Sequence, residues 1–236
     1  MTKVFARPLG ALLRFIYDSL AGIGLDTESL SAYAIAIIIA TIIVKFILLP
    51  LTLKQNKSMK GMQAIQPKLQ ELQKKYKNDK ETLQKKTMEL YQEHKINPFG
   101  GCLPLIIQFP IIIGFFNVLR EPITYVFKDP NIYNSVNKSF FWISNLENPD
   151  KIILPILAAA TTYFSSKMMS PSNSGQSDQA QTTQKTMTYM MPIMILFFAR
   201  SFPAGLALYW VIGNIFQIVQ QFIINKSLGQ VKEELD

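Results

Sequence analysis

Residues 30–53 form an apolar run in which Lys45 is the only charged residue. A helix needs about 20 apolar residues to cross a hydrocarbon core of about 30 Å. Inside that core a helix satisfies its own backbone hydrogen bonds. Charged residues make up only 17% of the chain, below the roughly 25% that is usual in soluble domains. The run therefore predicts an integral membrane protein.

Further apolar segments follow, and polar segments separate them. Together they predict an all-α integral membrane fold with five transmembrane helices, an N-terminal interfacial amphipathic helix and a cytoplasmic helical hairpin. The predicted segments are the amphipathic helix 1–29, transmembrane helix one 30–53, the basic hairpin 54–96, helix two 99–119, an extracytoplasmic loop 120–150, helix three 151–168, a flexible linker 169–186, helices four and five 187–224, and a cytoplasmic tail 225–236. A disordered leader is the alternative for the first segment.

The basic residues are concentrated in the predicted hairpin. Residues 54–96 include eleven lysines and five acidic residues, a net charge of +6 out of +8 for the whole chain. The loop 120–150 has a net charge of −1. Because basic loops stay in the cytoplasm, this asymmetry places the N-terminus outside and the C-terminus inside.

Lys45 is the most informative single residue. It lies nine positions before Lys54, about 13 Å along a helix with a rise of 1.5 Å per residue. A lysine side chain can reach several ångströms toward the headgroups, and that is the alternative interpretation. A charge at this depth more often faces a bundle interior or a watery cavity and indicates function.

Several uncharged polar side chains fall inside the predicted spans and are candidates to line such a cavity with Lys45. They are Thr41, one turn before Lys45, Gln108 in the second span, and Trp210, Asn214, Gln217 and Gln221, which share one face of the fifth. Hydrogen bonding between helices is the competing explanation for the amides.

The sequence argues against several other functions. No Asp or Glu lies inside a predicted span, which leaves no carboxylate proton relay. His94 and Cys102 are the only histidine and the only cysteine, too few for a metal site or a Cys/His catalytic pair. We expect neither enzymatic activity nor a metal or other cofactor. A small-molecule or ion transporter remains the alternative function, although no internal repeat supports it.

Three stretches carry a family resemblance. TIIVKFILLPLTLKQNKSMKGMQAIQPKLQELQKKYK, LYQEHKINPFGGCLPLIIQFPIIIGFF and FPAGLALYWVIGNIFQIVQQ closely resemble the YidC/Oxa family of membrane protein insertases, in its short bacterial form without a large extracytoplasmic domain. The resemblance implies five helices around a hydrophilic groove that opens to the cytoplasm and to the lipid. Lys45 stands where the family usually has arginine, and Gln108 and Trp210 match groove-lining positions.

The resemblance also implies a function and its partners. The chain is expected to be a multi-pass insertase and chaperone of the bacterial cell membrane, which receives nascent membrane proteins in its groove and releases their apolar segments into the bilayer. The ribosome and the general secretion channel are further expected partners.

The hairpin is expected to contact the client or the ribosome through its lysines. These are Lys54, Lys57, Lys60, Lys68, Lys74, Lys75, Lys77, Lys80, Lys85 and Lys86. Neutralising RNA phosphates is one interpretation of this charge. Setting the topology and touching anionic lipid is the other.

Overall fold

The computed structural model describes residues 2–96, 103–169 and 185–233. Its helices are α1 Thr2–Gly22, α2 Ala32–Ala64, α3 Gln66–Lys75, α4 Lys80–Glu93, α5 Leu103–Arg120, α6 Pro130–Ser135, α7 Ile153–Met169, α8 Met191–Ala199 and α9 Ala204–Glu233. Two π-helical turns, Ile123–Phe127 and Thr186–Met190, follow α5 and precede α8. The described ranges contain isolated bridges but no β-strand, which confirms the all-helical prediction.

Among the described residues, two helices are long and apolar enough to cross a membrane. The apolar runs are Ala32–Asn56 in α2 and Ala204–Lys226 in α9, and Gln108–Arg120 and Thr188–Ala199 are shorter apolar helices. Large apolar side chains point away from the protein on these helices and on α7. Examples are Phe46, Phe109, Phe164, Phe197 and Phe222, each more than half exposed. Such a surface is unfavourable in water and suits lipid.

Helix α9 packs against α2, α5 and α7, and α8 packs against α7. The interior between these helices is apolar and includes Ile37, Phe115, Leu154 and Leu208, all nearly inaccessible. The division into five spans remains a prediction. The predicted start of the second span at residue 99, the linker residues 170–184 and the last residues 234–236 lie outside the described ranges.

Helix α1 packs against protein through its apolar face. Leu13 is fully buried, and α1 contacts α5, α2 and the first π-helical turn. Gly10 lies directly against the backbone of Tyr125, and Gly114 of α5 lies against Leu9. Small residues at such crossings let helices approach closely. Much of the stripe that predicts contact with the membrane surface is therefore covered by other helices, while Phe15 on the opposite face is exposed.

The basic hairpin begins inside α2, which continues to Ala64 before α3 and α4 fold back on each other. Pro67 lies in the first turn of α3, where its missing N–H costs nothing. Asp79 caps α4 by accepting a hydrogen bond from the Thr82 N–H at 3.0 Å. The exposed hairpin lysines are Lys54, Lys68, Lys74, Lys75, Lys77, Lys80, Lys85 and Lys95. Lys86 pairs with Glu89 at 2.6 Å, and the side chains of Lys57 and Lys60 lie outside the described part of the chain.

The segment between α5 and α7 folds back onto the start of α2 and the start of α9. The buried Ser31 hydroxyl donates to the Ser139 carbonyl at 2.7 Å. The first backbone N–H groups of α9, at Ala204 and Gly205, donate to the carbonyls of Asn148 and Leu146 at 2.9 and 3.0 Å. These bonds satisfy donors that a helix N-terminus would otherwise leave unpaired. The loop thereby fixes the positions of α2 and α9 relative to each other.

Candidate functional site

Lys45 lies on α2 with its ammonium group against α9. A Cβ atom at Gly213 would stand 3.2 Å from Lys45 Cε and 3.6 Å from Nζ. The amine reaches this position because Gly213 has no side chain. Lys45 is partly buried, and within the described ranges it has neither a hydrogen-bond partner nor an acidic partner. The site therefore contains a cation that is still available to an incoming acceptor.

Thr41 and Gln55 lie on the same helix as Lys45. The Thr41 hydroxyl is fully buried and donates to the Ile37 carbonyl at 2.6 Å, so it is already satisfied within α2. Gln55 is also buried, with 4% of its surface exposed, and its Nε2 atom has no hydrogen-bond partner in the described part of the chain. A buried amide without a partner costs about 1–3 kcal/mol. Gln55 is thus a second unsatisfied donor on α2, toward the hairpin.

The polar residues of α9 that the sequence places on one face mostly contact α7. Trp210 Nε1 donates to the Thr162 hydroxyl at 3.0 Å. The Asn214 amide lies 2.9 Å from the Thr162 hydroxyl and 3.2 Å from that of Thr161. Gln217 is in hydrogen-bond contact with the Met169 sulfur. These contacts hold α9 and α7 together. They agree with the alternative interpretation of the amides, which is hydrogen bonding between helices.

The other predicted residues have different partners. Gln108 of α5 donates to the Tyr209 hydroxyl at 3.0 Å, and the Tyr209 ring stacks on Phe115 with centroids 4.2 Å apart. Gln221 donates to Asn225 one turn later on α9. Gln220, which the sequence reasoning did not select, donates to Thr52 of α2 at 2.9 Å.

The polar groups of α9 therefore face three neighbours. Gly213 and Gln220 lie toward α2, Trp210 and Asn214 toward α7, and Tyr209 toward α5. Since successive residues of a helix are about 100° apart, neighbouring positions face different helices. The structure brings Lys45 next to α9. Within the described ranges, neither Gln108 nor Thr41 makes a hydrogen bond to Lys45. That all of these side chains line one groove remains a prediction.

Sequence reasoning missed several residues of this site. Thr161 and Thr162 are adjacent hydroxyls that follow an apolar first half of α7, and that pair was the signal for a polar contact on this helix. Tyr209 and Gly213 carried a weaker signal, because tyrosine and glycine are common in transmembrane helices for other reasons. Within the described ranges, no group of three or more His, Cys, Asp or Glu residues could hold a metal ion.

Comparison with known proteins gives consistent matches over most of the chain. Residues 25–232 match the family described as the 60Kd inner membrane protein. The membrane protein insertase YidC of Fusobacterium nucleatum is 45% identical over 196 residues, which cover 83% of this chain and 87% of the relative. The YidC of Clostridium perfringens is 41% identical over 238 residues, covering 97% and 96%. The membrane protein insertase MisCA of Bacillus subtilis is 41% identical over 196 residues, covering 81% and 70%.

Proposed function

The chain belongs to the 60Kd inner membrane protein family and is a bacterial membrane protein insertase, and from this premise we propose that Lys45 receives a polar or acidic segment of the client. The clients are nascent membrane proteins, and the bilayer is the phase into which their apolar segments are released. The groove enclosed by five spans, with the N-terminus outside and the C-terminus in the cytoplasm, belongs to this proposal.

The observation that carries the proposal is the Lys45 ammonium group, which lies against Gly213 and has no partner among the residues that the structure describes. An aspartate at the centre of a membrane span costs about 2.5–3.5 kcal/mol on insertion scales. A hydrogen bond to a charged group returns about 1.5–3 kcal/mol. One well-placed cation therefore offsets a large part of the cost of carrying one client carboxylate past the middle of the bilayer.

The path to Lys45 starts at the hairpin side of α2. The hydrogen bond between Gln220 and Thr52 lies between Lys45 and the hairpin, and the Gln55 amide, which has no partner among the described residues, lies at the start of the hairpin. A client segment entering from the cytoplasm meets these polar groups first and Lys45 next. The client's apolar segment then moves sideways into lipid, which is favourable because it removes apolar surface from water. No nucleotide hydrolysis is needed for that step.

The test measures insertion of a single-span client with one acidic residue in its extracytoplasmic tail. We expect Lys45→Ala and Lys45→Glu to slow insertion by about tenfold or more, the value of one charged hydrogen bond. Lys45→Arg should be at least as active as the parent. Gly213→Val keeps the charge but fills the space beside it, so it should also slow insertion. Protease accessibility of the client tail in proteoliposomes reports the rate.

Two controls separate the charge from general damage. Lys151→Ala removes an exposed lysine that precedes the first residue of α7, Ile153, and should leave the rate unchanged. A client with Asn in place of the acidic residue should be insensitive to Lys45→Ala. Undiminished insertion of the acidic client by both Lys45→Ala and Lys45→Glu would remove the charge from the mechanism.

The hairpin lysines support a second part of the proposal, which is docking of the translating ribosome. Five of them, Lys68, Lys74, Lys75, Lys80 and Lys85, are exposed on α3 and α4, and Lys77 is exposed between these helices. Phosphate neutralisation gives binding that weakens steeply with salt. Co-sedimentation with ribosomes should fall when Lys74, Lys75 and Lys77 are changed together to Gln. Unchanged co-sedimentation would assign these lysines to topology and anionic lipid instead.

A further inference from the structure

An apolar cleft lies between α5, α8 and α9, and Lys45 is not among its lining residues. Its volume is about 200 Å³, and it is partly open. The cleft is lined by Ile112, Ile113 and Phe116 of α5, by Ile195, Phe198 and Ala199 of α8, and by Phe202, Leu206, Ala207 and Trp210. The lining presents no polar surface. A dry apolar cavity of about 150 Å³ already binds small hydrocarbons, so this cleft suits hydrocarbon rather than water.

The size of the cleft restricts its occupant. A helix with its side chains is about 10 Å wide, and a transmembrane segment of a client would not fit into this volume. A single extended hydrocarbon chain would fit. Because α5, α8 and α9 expose large apolar side chains such as Phe109, Phe198 and Val219, the cleft opens into the lipid phase.

Two arginines flank one end of the cleft. Arg120 is the last residue of α5, and its guanidinium lies 5.5 Å from the centre of the Phe116 ring. Arg200 directly follows the cleft residue Ala199 at the end of α8. The chain segments that carry the two arginines are in contact, because the Phe116 and Phe202 rings meet edge to face with centroids 5.5 Å apart. Both arginines are exposed, and within the described ranges neither has an acidic partner.

We propose that this cleft binds one acyl chain of an anionic glycerophospholipid, whose phosphate lies against Arg120 and Arg200. The arginines lie on the side of the segment between α5 and α7, so the lipid belongs to the leaflet on that side. Arginine binds phosphate through a planar set of N–H donors, and the membrane supplies phosphate at the depth where the spans end. The site does not depend on Lys45.

The test uses Trp210 as a reporter, since its ring lines the cleft and Trp142 is the only other tryptophan. The Trp142→Phe protein is reconstituted into phosphatidylcholine vesicles with increasing fractions of phosphatidylglycerol brominated on its acyl chains. Bromine quenches tryptophan fluorescence at short range. We expect quenching of Trp210 to saturate at a low fraction of the anionic lipid. Brominated phosphatidylcholine should quench only in proportion to its fraction.

Variants assign the quenching to the site. Arg120→Gln and Arg200→Gln, both exposed, should each raise the fraction of anionic lipid at half-maximal quenching by about fivefold. The matched control Lys151→Gln removes an exposed charge outside the cleft and should leave that fraction unchanged. Ala207→Leu fills the cleft and should reduce the quenching itself, with circular dichroism to verify folding. Equal half-maximal fractions for the parent and both arginine variants would overturn the proposal, as would equal quenching by the two brominated lipids.

Discussion

The substitution Gly10→Ala tests how α1 is attached to the rest of the protein. A methyl group at this position would overlap the carbonyl of Tyr125 in the π-helical turn after α5. That neighbour is backbone and cannot rotate away, so α1 or the turn has to move. Overpacking of this kind costs about 1–3 kcal/mol. Replacing glycine by alanine inside a helix returns up to about 1 kcal/mol.

Gly22→Ala is the control, because it includes part of the same gain in helix stability from replacing glycine by alanine. Gly22 is the last residue of the same helix, and a methyl group there would meet no atom within 4 Å. Its stability should therefore stay unchanged or rise slightly, because alanine also reduces the freedom of the unfolded chain. The two variants should differ by about 1–3 kcal/mol, the overpacking cost at Gly10.

Denaturant unfolding in detergent micelles, followed by circular dichroism, gives the free energy of unfolding for both variants. A second readout is insertion of the acidic client, which reports whether displacing α1 also disturbs the spans. If Gly10→Ala proved as stable as Gly22→Ala, α1 would not lie against the π-helical turn in the membrane-embedded protein. It would then be free to lie on the membrane surface, as its amphipathic pattern predicts.

Two further predictions concern other parts of the protein. Thr162→Val removes the hydroxyl that pairs with Trp210 and Asn214. Because both groups lose a buried partner, the free energy of unfolding should fall by about 1–3 kcal/mol. An unchanged free energy of unfolding would refute the contact between α7 and α9. Burial raises the pKa of Glu147, but hydrogen bonds from Tyr133, Asn145 and Lys138 lower it by more, and the net pKa lies below the ordinary 4.5. The ionised Glu147 therefore contributes fully to the stability of the folded protein above about pH 4.5, and this contribution disappears as the pH falls through the lowered pKa. We expect the free energy of unfolding to fall less steeply with decreasing pH in Glu147→Gln than in the parent.

The membrane class and the family could be predicted from the sequence because they depend on long patterns. The run around Lys45 specifies a helix in lipid by length and composition alone, and the family model and the relatives confirm the resemblance. The turn of the hairpin was predictable for a similar reason. Asn78 and Asp79 interrupt a helical stripe, and Asp79 is the residue that caps α4.

The partners of individual helices could not be predicted in the same way. An amphipathic stripe on α1 has the same sequence pattern whether it faces headgroups or another helix, so its burial against α5 was not foreseen. Asn214 and Trp210 were correctly placed on one helical face. The sequence of that face does not determine whether it packs against a lysine or a threonine, because either residue can form a hydrogen bond with the Asn214 amide.

The hydrogen bonds of α9 indicate an order in which its polar groups meet a client. Asn214 is already bonded to threonines of α7, and Gln108 to Tyr209, so each must give up about 0.5–1.5 kcal/mol before it can bind anything else. Lys45 has no bond to give up within the described ranges. A client carboxylate therefore gains most by meeting Lys45 first, and the amides contribute only if α7 and α5 separate from α9. On this reasoning, Lys45→Ala should impair insertion more than Asn214→Ala in the same assay, and the opposite ranking would assign the client contact to the α7 side of α9.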